Sequence, residues 1–576
     1  MDQKEQLFQI ETELDDAVKH LKLWELPFQT VLSCLLLTID SVDKSKGTDT
    51  AMDYCSRLSY VYNLVKTLSA KVAINSSTNA ILALRPEDAH SLKFLNSYAH
   101  FSLLIPQVRR NVMKPSKIEG KYIELEYSSE EAEFAELIDR LYSYLSLQMM
   151  VSYKGEEELK VYLKEKAAAK DLTINATDEA WLKHMFLSFK EYLITVEVLP
   201  SSIMTEILGF GYNGYLTFTA TIRAFAEFHL HLGSAYLSLA QKERDNNVEL
   251  ADELMSEYFE NVVNCFDLQF VDLYVSISGL SKDKIMGLLS YYMTIYSNNL
   301  GDAIEEKSFC DEGFFPPFCL FGNYLISSPH SSRYMLPINN ILYSINKKQP
   351  KFFNDRISSH LEPTLINQLA YLFKTLNSNF RSAKNVSYPG GEADLLVISE
   401  IENTCLAIQV KSTIAPDSSR TVKRVQDRAL EGINQIEHFR SIPKEDKQRI
   451  VNHRFGVKLS ETSFIDLLLV RSSAGTELIW KHNSHIRIIN YCFLAWIISE
   501  KIKEGDFTLS NLNDLIKDFQ ENLIKLSKWQ KVYENVIIGD YTIKFPNINI
   551  DVSEIVPINF RTYLQLPDFE KSHSEA

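Results

Sequence analysis

The spacing of hydrophobic residues predicts helices over most of the first 350 residues. Apolar side chains recur three or four positions apart, which places them on one helix face; the first such series is Leu7, Ile10, Leu14, Val18 and Leu21. Residues 121–127 instead alternate between apolar and polar, as a strand does. We expect a helical N-terminal region over residues 1–110. Residues 111–345 should form a mainly α-helical region with a regulatory or interaction role.

The hydrophobic period changes after residue 350. A helix is expected near residues 353–380, and shorter apolar runs then alternate with two further helices. The predicted order is strands 384–388, 391–399 and 405–411, helix 421–440, strands 463–470 and 485–490, and helix 491–504. This order predicts an α/β domain over 346–505, with a mixed sheet flanked by helices. For residues 506–576 we expect a C-terminal helix and tail, with the helix reaching residue 535 and one strand over 541–550.

Charge is distributed unevenly along the 576 residues. The net charge of -15 argues against a general nucleic-acid binder. Residues 351–500, however, hold 19 Lys and Arg against 16 Asp and Glu, a net of +3, so the remainder carries -18. The difference favours a segment that contacts a polyanion, with ordinary surface variation as the alternative. The predicted α/β segment is therefore the part of the chain whose charge permits such contact.

Composition bounds the cellular setting. The seven cysteines are scattered and lack CxxC pairs, which argues against a disulfide framework or a zinc ribbon. The opening residues are polar, unlike a secretory leader. The most apolar runs, 31–39 and 491–498, are about half the length that spans a bilayer. These features favour a cytoplasmic protein without a membrane partner.

Two neighbouring predicted strands turn polar at one end only. If their connection is centred between Ile401 and Glu402, hairpin symmetry places Asp394 opposite Gln409, and Glu392 opposite Lys411. Charged groups beside aliphatic side chains cost several kcal/mol unless they are paired or bind a metal. The polar cluster therefore predicts a functional site at this end of the hairpin.

The segments Gly391-Glu392-Ala393-Asp394 and Gln409-Val410-Lys411 together resemble the PD-(D/E)XK nuclease superfamily. That family places an acidic residue at the end of one strand and (Asp/Glu)-x-Lys on the next. The resemblance is confined to residues 346–505 and says nothing of the helical region. It implies a restriction-endonuclease-like fold that hydrolyses phosphodiester bonds with Mg²⁺ or Mn²⁺.

The resemblance assigns roles to individual residues. Asp394 would bind the metal, Gln409 would contribute its side-chain oxygen, and the carbonyl of Val410 could complete the ligand set. Lys411 would orient or help to deprotonate the attacking water and stabilise negative charge. Glu362, on the preceding helix, resembles an acidic residue that many members place there and could hold a water molecule beside the metal.

Two features depart from the family pattern. Pro389 is not adjacent to Asp394, which is a common divergence. Gln409 replaces the usual acid, and a neutral amide binds Mg²⁺ more weakly than a carboxylate does. Glu392 or Glu362 could supply the missing negative charge, and a minority of active members have Gln-x-Lys.

The predicted helix 421–440 carries a basic stripe. Arg420, Arg424 and Arg428 recur every four residues, with Lys423 beside them. Further along the helix, Gln435 and the aromatic Phe439 resemble a Gln-x-x-x-aromatic motif of exonuclease-like members, in which the Gln lies near the active site. The nucleic-acid-binding residues would be Arg420, Lys423, Arg424, Arg428 and Gln435, with phosphate contacts from the basic side chains; an ordinary solvated helix face is the alternative.

The leading interpretation is a metal-dependent nuclease, with DNA as the favoured substrate. Such a layout fits a restriction or phage-defence effector that its helical region regulates, and that region could bind a protein partner or self-associate. The alternative is a catalytically inactive nuclease fold that serves as a nucleic-acid or protein binding scaffold. In a third interpretation, the hairpin charges merely pair with one another.

Overall fold

The computed structural model describes most of residues 2–551. The residues outside its description are 1, 47, 73, 75, 149–154, 171–173, 193–197, 297–304, 309–314, 335–337, 377–378, 415–418, 472–484 and 552–576, together with the side chains of 48–49, 142–148, 191–192, 376 and 419–421.

Five helices and a strand hairpin begin the chain. In order they are α1 (Gln3–Lys19), α2 (Phe28–Lys46), α3 (Thr48–Leu68), α4 (Ser77–Leu82), α5 (Ala89–Arg109), β1 (Met113–Glu119) and β2 (Tyr122–Tyr127). The apolar stripe predicted for the first helix is buried at Leu7, Ile10, Leu14 and Val18, as its spacing predicted. These helices pack around one apolar core, to which the hairpin also contributes.

The middle of the chain is mainly helical and includes a small sheet. It comprises α6 (Glu130–Gln148), α7 (Glu156–Ala168), α8 (Ala176–Tyr192), α9 (Ser201–Leu208), α10 (Tyr212–Glu243), α11 (Val248–Val262), β3 (Asn264–Asp267), α12 (Val271–Ser278), α13 (Lys282–Leu289), β4 (Met293–Ile295), β5 (Phe318–Phe321), β6 (Tyr324–Ser327), α14 (Pro329–Tyr334), α15 (Ile338–Lys348) and α16 (Pro350–Phe353). The long helix α10 is at the centre of the second core. The sheet has the order β3-β6-β5-β4, so the region expected to be mainly helical also contains strands.

The rest of the chain alternates helices and strands. A π-helical turn (Asn354–Ser358) leads into α17 (Ser359–Leu376), β7 (Phe380–Tyr388), β8 (Gly391–Ser399), β9 (Thr404–Lys411), α18 (Ser419–Ser441), α19 (Lys444–Phe455), β10 (Ser463–Val470), β11 (Arg487–Asn490), α20 (Tyr491–Glu504), α21 (Leu512–Leu526), β12 (Lys528–Ile538) and β13 (Tyr541–Asp551). The elements predicted over residues 353–504 are present in the predicted order, but the helix α19 lies between α18 and β10 and was not predicted.

A mixed five-stranded sheet forms the core of this segment, in the order β11-β10-β9-β8-β7. Strand β8 pairs antiparallel with both β7 and β9, whereas β10 pairs in parallel with β9 and with β11. Helices α17, α20 and α21 pack on one face, and α18 and α19 pack on the other. Because both faces are covered, all eight residues of the central strand β9 are buried.

The expectation that residues 507–535 are helical is wrong beyond Leu526. Residues from Lys528 onward form β12, which pairs with β13. Strand β13 also pairs in parallel with β2 near the other end of the chain, which closes a sheet in the order β1-β2-β13-β12. The β12–β13 hairpin is thus part of the N-terminal core. Local hydrophobic spacing could not show this, since the partner strand lies about 400 residues away.

Among the helices that the structure describes, none combines the length and the apolar character needed to cross a membrane.

Candidate active site

The β8–β9 hairpin brings the predicted polar residues to one end of the sheet. Its register pairs Leu395 with Ile408 and Ser399 with Thr404, so the connection is centred between Ile401 and Glu402 as the sequence predicted. One step beyond Leu395, the same register places Asp394 opposite Gln409. The apolar pairs keep the two strands together, and the polar pair lies where that ladder ends.

Side-chain hydrogen bonds replace the backbone ladder at this end. The Asp394 Oδ2 atom accepts a hydrogen bond from the Val410 N–H at 2.7 Å. The Gln409 Nε2 atom donates to the backbone carbonyl of Glu392 at 2.8 Å. The Asp394 carboxylate and the Gln409 amide are therefore fixed by the two strands that carry them.

One polar atom of Gln409 has no hydrogen-bond partner in the part of the chain that the structure describes. Its side chain is 3% exposed, and no described residue donates a hydrogen bond to its Oε1 atom. A buried amide oxygen that lacks a donor costs roughly 1–3 kcal/mol. Native proteins satisfy most such atoms with protein, water or an ion. This oxygen is thus available to a cation or a water molecule.

The environment of Asp394 opposes its ionisation. Burial is the largest influence and raises the pKa, while the hydrogen bond from Val410 and the charge of Lys411 lower it. Repulsion from Glu362 and Glu392 adds to the effect of burial, and together they raise the pKa of Asp394 to about 6. A carboxylate held in this way is stabilised by a further positive charge, as metal-binding carboxylates are.

Lys411 is buried against α18, with a side chain that is 5% exposed. Helix α18 approaches closely because residue 432 is glycine: a Cβ atom there would lie 3.2 Å from Lys411 Cγ and 2.5 Å from Leu468 Cδ1. The Lys411 Nζ atom lies 3.6 Å from Glu431 Oε1. The ammonium group therefore has a carboxylate partner on the helix that covers it.

Glu362 lies in the first turn of α17 and faces α18. Its Oε1 atom accepts a hydrogen bond from Arg428 Nη2 at 2.6 Å, and Arg428 Nη1 also contacts Glu431. A chain of alternating charges thus runs from Glu362 through Arg428 and Glu431 to Lys411. The sequence suggested a phosphate contact for Arg428, whereas the structure places it between two carboxylates. The role of Glu431 was missed, although it lies three residues from Arg428 on the same stripe.

The remaining candidates differ in their positions. Glu392 is exposed, close enough to influence the Asp394 carboxyl. Lys423 and Arg424 are exposed on α18, while the side chain of Arg420 lies outside the described residues. Gln435 is half-buried, and its Oε1 atom accepts no hydrogen bond from a described residue. Its backbone carbonyl accepts one from the Tyr388 hydroxyl at 3.4 Å.

Arg471 was not among the residues predicted from the sequence. It follows β10, and its backbone N–H donates to the Lys411 carbonyl at 3.2 Å. Its side chain donates to Ser412 Oγ at 2.7 Å and to the Leu361 carbonyl at 3.3 Å. Burial lowers the pKa of this guanidinium to about 10. Arg471 thus links the end of β9 to the residue that precedes Glu362.

The end of the hairpin offers oxygen atoms of three kinds, from the Asp394 carboxylate, the Gln409 amide and the Val410 backbone carbonyl. Among the described residues, no three His, Cys, Asp or Glu side chains form a group that could hold a metal. Besides the Asp394 carboxylate and the Gln409 side-chain oxygen, the third candidate oxygen is the backbone carbonyl of Val410. Since the Lys411 carbonyl bonds to Arg471 beside β10, the alternation of strand backbone groups directs those of Val410 toward β8. Oxygen ligands of these three kinds are those that Mg²⁺ and Mn²⁺ prefer.

Comparison of the chain with family models, with curated proteins and with solved structures gave no match in any of the three.

Proposed function

We propose that the chain is a metal-dependent nuclease that hydrolyses phosphodiester bonds, with DNA as the favoured substrate. One observation carries the proposal: the buried Gln409 oxygen accepts no hydrogen bond from a described residue, and its neighbour on the paired strand is the Asp394 carboxylate, whose pKa is raised to about 6. The hairpin register and the burial of Lys411 bring an acid, an amide and an ammonium group together. A cation would satisfy the first two groups and would leave the third for the substrate.

The metal would be held by Asp394, Gln409 and the carbonyl of Val410, with Glu392 and Glu362 as further carboxylates near the site. When bound, Mg²⁺ or Mn²⁺ supplies positive charge against the scissile phosphate and lowers the pKa of a nearby water molecule. The Val410 N–H keeps the Asp394 carboxylate oriented. The Glu392 carbonyl keeps the Gln409 amide oriented, so that its oxygen and not its nitrogen faces the site.

Lys411 would act on the attacking water or on a phosphate oxygen. Its Nζ atom donates hydrogen bonds only, so it orients a water lone pair or stabilises developing negative charge. Glu431, at 3.6 Å, holds that atom at the site end of β9. Burial beside Gly432 limits the conformations of the lysine chain.

The order of elements supports a restriction-endonuclease-like fold for residues 346–505. A helix bearing Glu362 precedes an antiparallel hairpin bearing Asp394 and Lys411, and α18 follows on the opposite face of a mixed sheet. With the larger helical region, this arrangement fits a cytoplasmic restriction or phage-defence effector, by analogy of layout. The helical region would then regulate the nuclease, bind a protein partner or self-associate.

A second candidate function is a binding scaffold that retains the fold without turnover. Two observations favour it: Gln409 stands where the family has an acid, and Glu362 is paired with Arg428. The site would then have only one carboxylate buried beside the amide. Under this alternative, nucleic acid binds with the same affinity whether or not Asp394 and Lys411 are substituted.

A cleavage assay separates the two candidates. Full-length protein, Asp394→Ala and Lys411→Ala would be incubated with supercoiled DNA, linear DNA and single-stranded RNA, each with Mg²⁺, Mn²⁺ or EDTA. Lys503→Ala, on helix α20 of the other sheet face, is the matched control. We expect metal-dependent cleavage that both site variants reduce at least 100-fold, as loss of a group that stabilises transition-state charge does. Absence of cleavage on every substrate, or cleavage that survives both substitutions, would overturn the proposal.

A further inference from the structure

A groove with a volume of about 530 Å³ lies between strand β7 and helix α19. Its polar lining consists of Asn385 and Ser387 from the strand and Arg449, His453 and Arg454 from the helix. All five residues are exposed. The groove is thus open to solvent and offers hydroxyl, amide and guanidinium groups to a ligand.

Positive charge predominates in this groove. Among the described residues that line it, none is acidic. Arg449 contacts Asp446 one helical turn away, yet its side chain is 80% exposed. Arg454 donates one long hydrogen bond, at 3.4 Å, to the backbone carbonyl of Lys384, whose own side chain is also exposed. Two guanidinium groups with few protein partners suit a ligand with phosphate oxygens, which they can bind in a bidentate manner.

The groove is adjacent to the candidate active site. β7 pairs with β8 through Lys384 and Leu395 on one side and through Val386 and Ala393 on the other. Asn385 therefore lies beside Asp394 in the sheet. Asn385 has a φ of +51°, a conformation that costs a non-glycine residue about 1 kcal/mol and that is concentrated at functional sites.

Both helices near the site cover the same face of the sheet. Val451 of α19 and Phe439 of α18 share a core cluster with Val386 of β7. Lys411 lies against Gly432 of α18 on that face. A chain of phosphates that lies along the groove past Asn385 therefore reaches Asp394 without crossing the sheet.

We propose that the β7–α19 groove binds the sugar-phosphate backbone of a nucleic acid, on the strand segment that flanks the bond cleaved at Asp394. This inference rests on the proposed function for the identity of the ligand. The contacts would be to phosphates, so they would fix the position of the strand and would be insensitive to base sequence.

Binding without cleavage tests the groove. Full-length protein in EDTA would be titrated into fluorescein-labelled duplex DNA, single-stranded DNA and single-stranded RNA, with anisotropy measured at several salt concentrations. The test variant is Arg449→Glu with Arg454→Glu, and the milder version replaces both with Gln. The matched control is Lys517→Glu with Lys525→Glu, which makes the same change of net charge on α21, over the opposite sheet face.

We expect the Arg449/Arg454 variants to bind at least tenfold more weakly than the unmodified protein. The slope of log affinity against log salt should fall by about 2, since each phosphate contact contributes roughly 0.9. The control should stay within twofold. The melting temperature of the test variants should still change on addition of metal. That result would show that the fold and the Asp394 site are intact.

Several results would overturn the proposal that the groove binds a nucleic-acid backbone. These are unchanged affinity in the Arg449/Arg454 variants, equal loss in the control, or absence of nucleic-acid binding by the unmodified protein. An acidic peptide competing as well as DNA would assign the groove to a protein partner instead. Failure of the nuclease proposal can be distinguished from failure of the groove proposal. The first would appear as absence of cleavage, whereas the anisotropy titration in EDTA measures binding without cleavage.

Discussion

The Nζ atom of Lys411 lies 3.6 Å from Oε1 of Glu431, so the helix that covers the sheet supplies the carboxylate partner of the candidate catalytic lysine. Glu431 is about half exposed and is also contacted by Arg428, which in turn binds Glu362. The helix thereby links α17, the hairpin and the ammonium group. Positioning of Lys411 depends on this charge network as well as on β9.

Glu431→Gln tests whether the carboxylate positions Lys411. Losing its charge leaves the ammonium group less well oriented, so we expect kcat for DNA cleavage to fall about tenfold. This is less than the roughly 10²–10⁴-fold that a positioned general acid or base contributes, because Glu431 acts only through Lys411. KM should change less than threefold, and Glu431→Asp should restore part of the rate. Glu437→Gln, an exposed acid on the same helix, is the control. A purely structural role would instead lower the melting temperature without the split between kcat and KM.

Gly432 is where α18 and the lysine come closest. Ala at this position would place a Cβ atom 2.5 Å from Leu468 Cδ1 and 3.2 Å from Lys411 Cγ. Either the Leu468 side chain or the helix must then shift, and overpacking of this kind costs about 1–3 kcal/mol. We expect Gly432→Ala to lower both the free energy of unfolding and the cleavage rate.

Gly287→Ala is the matched control for that substitution. Gly287 lies in helix α13, and an added Cβ atom there meets no atom within 4 Å. Alanine should stabilise this helix by about 0.5–1 kcal/mol. Urea unfolding measures the free energy of unfolding of both variants. Equal changes of the same sign in Gly432→Ala and Gly287→Ala would contradict the close approach at Gly432.

Asp394→Asn should stabilise the metal-free protein at neutral pH. Burial raises the pKa of Asp394 to about 6, above the value of about 3.9 in an unfolded chain. The native state therefore binds more protons between these values, and stability falls as pH rises from about 4 to about 6. Above pH 6 the ionised Asp394 carboxylate lowers the free energy of unfolding by about 1–2 kcal/mol, a figure reduced to allow for its partial exposure.

Unfolding in EDTA at pH 5 and pH 8 measures this effect. The gain from Asp394→Asn should be larger at pH 8, while Asp427→Asn, an exposed carboxyl on α18, should change neither value. Stabilisation by added Mn²⁺ should disappear in Asp394→Asn. A variant that is destabilised at both pH values would show that the carboxylate serves the fold instead of a ligand.

The local parts of the site could be predicted from the sequence, and the distant contacts could not. The register of Asp394 and Gln409 followed from one short connection, because pairing in a hairpin is symmetric about its turn. The contact of Arg428 with Glu362 joins residues 66 positions apart, and that of Arg471 with Leu361 joins residues 110 apart. Such contacts depend on how helices pack over the sheet, which hydrophobic spacing does not specify. The pairing of β13 with β2 was missed because these strands lie far apart in the sequence and hydrophobic spacing does not specify which strands pair.

Gln409→Glu examines the departure from the family pattern. A carboxylate would lose the hydrogen bond that Nε2 donates to the Glu392 carbonyl and would add negative charge beside Asp394. We expect the metal-free variant to be less stable by about 1–3 kcal/mol, the cost of an unsatisfied buried group. Isothermal titration should show Mn²⁺ binding about tenfold more tightly, with stability regained on binding. Gln409→Ala should bind more weakly than the unmodified protein, and equal affinity in all three would exclude residue 409 as a ligand.

The C-terminal hairpin offers a test of the fold that is independent of the site. Ile543 of β13 is fully buried, pairing with Val536 of β12 and with Ile123 of β2. Truncation to alanine removes apolar contacts from the N-terminal core, and buried Ile→Ala changes cost about 2–5 kcal/mol. Ile537, on the neighbouring strand, is 56% exposed, so Ile537→Ala should change stability by less than about 1 kcal/mol. Urea unfolding followed by circular dichroism compares the two, and similar losses would place this hairpin outside the core. Because the first 110 residues share that core, Ile543→Ala should also speed proteolysis within α1–α5, which limited digestion would detect.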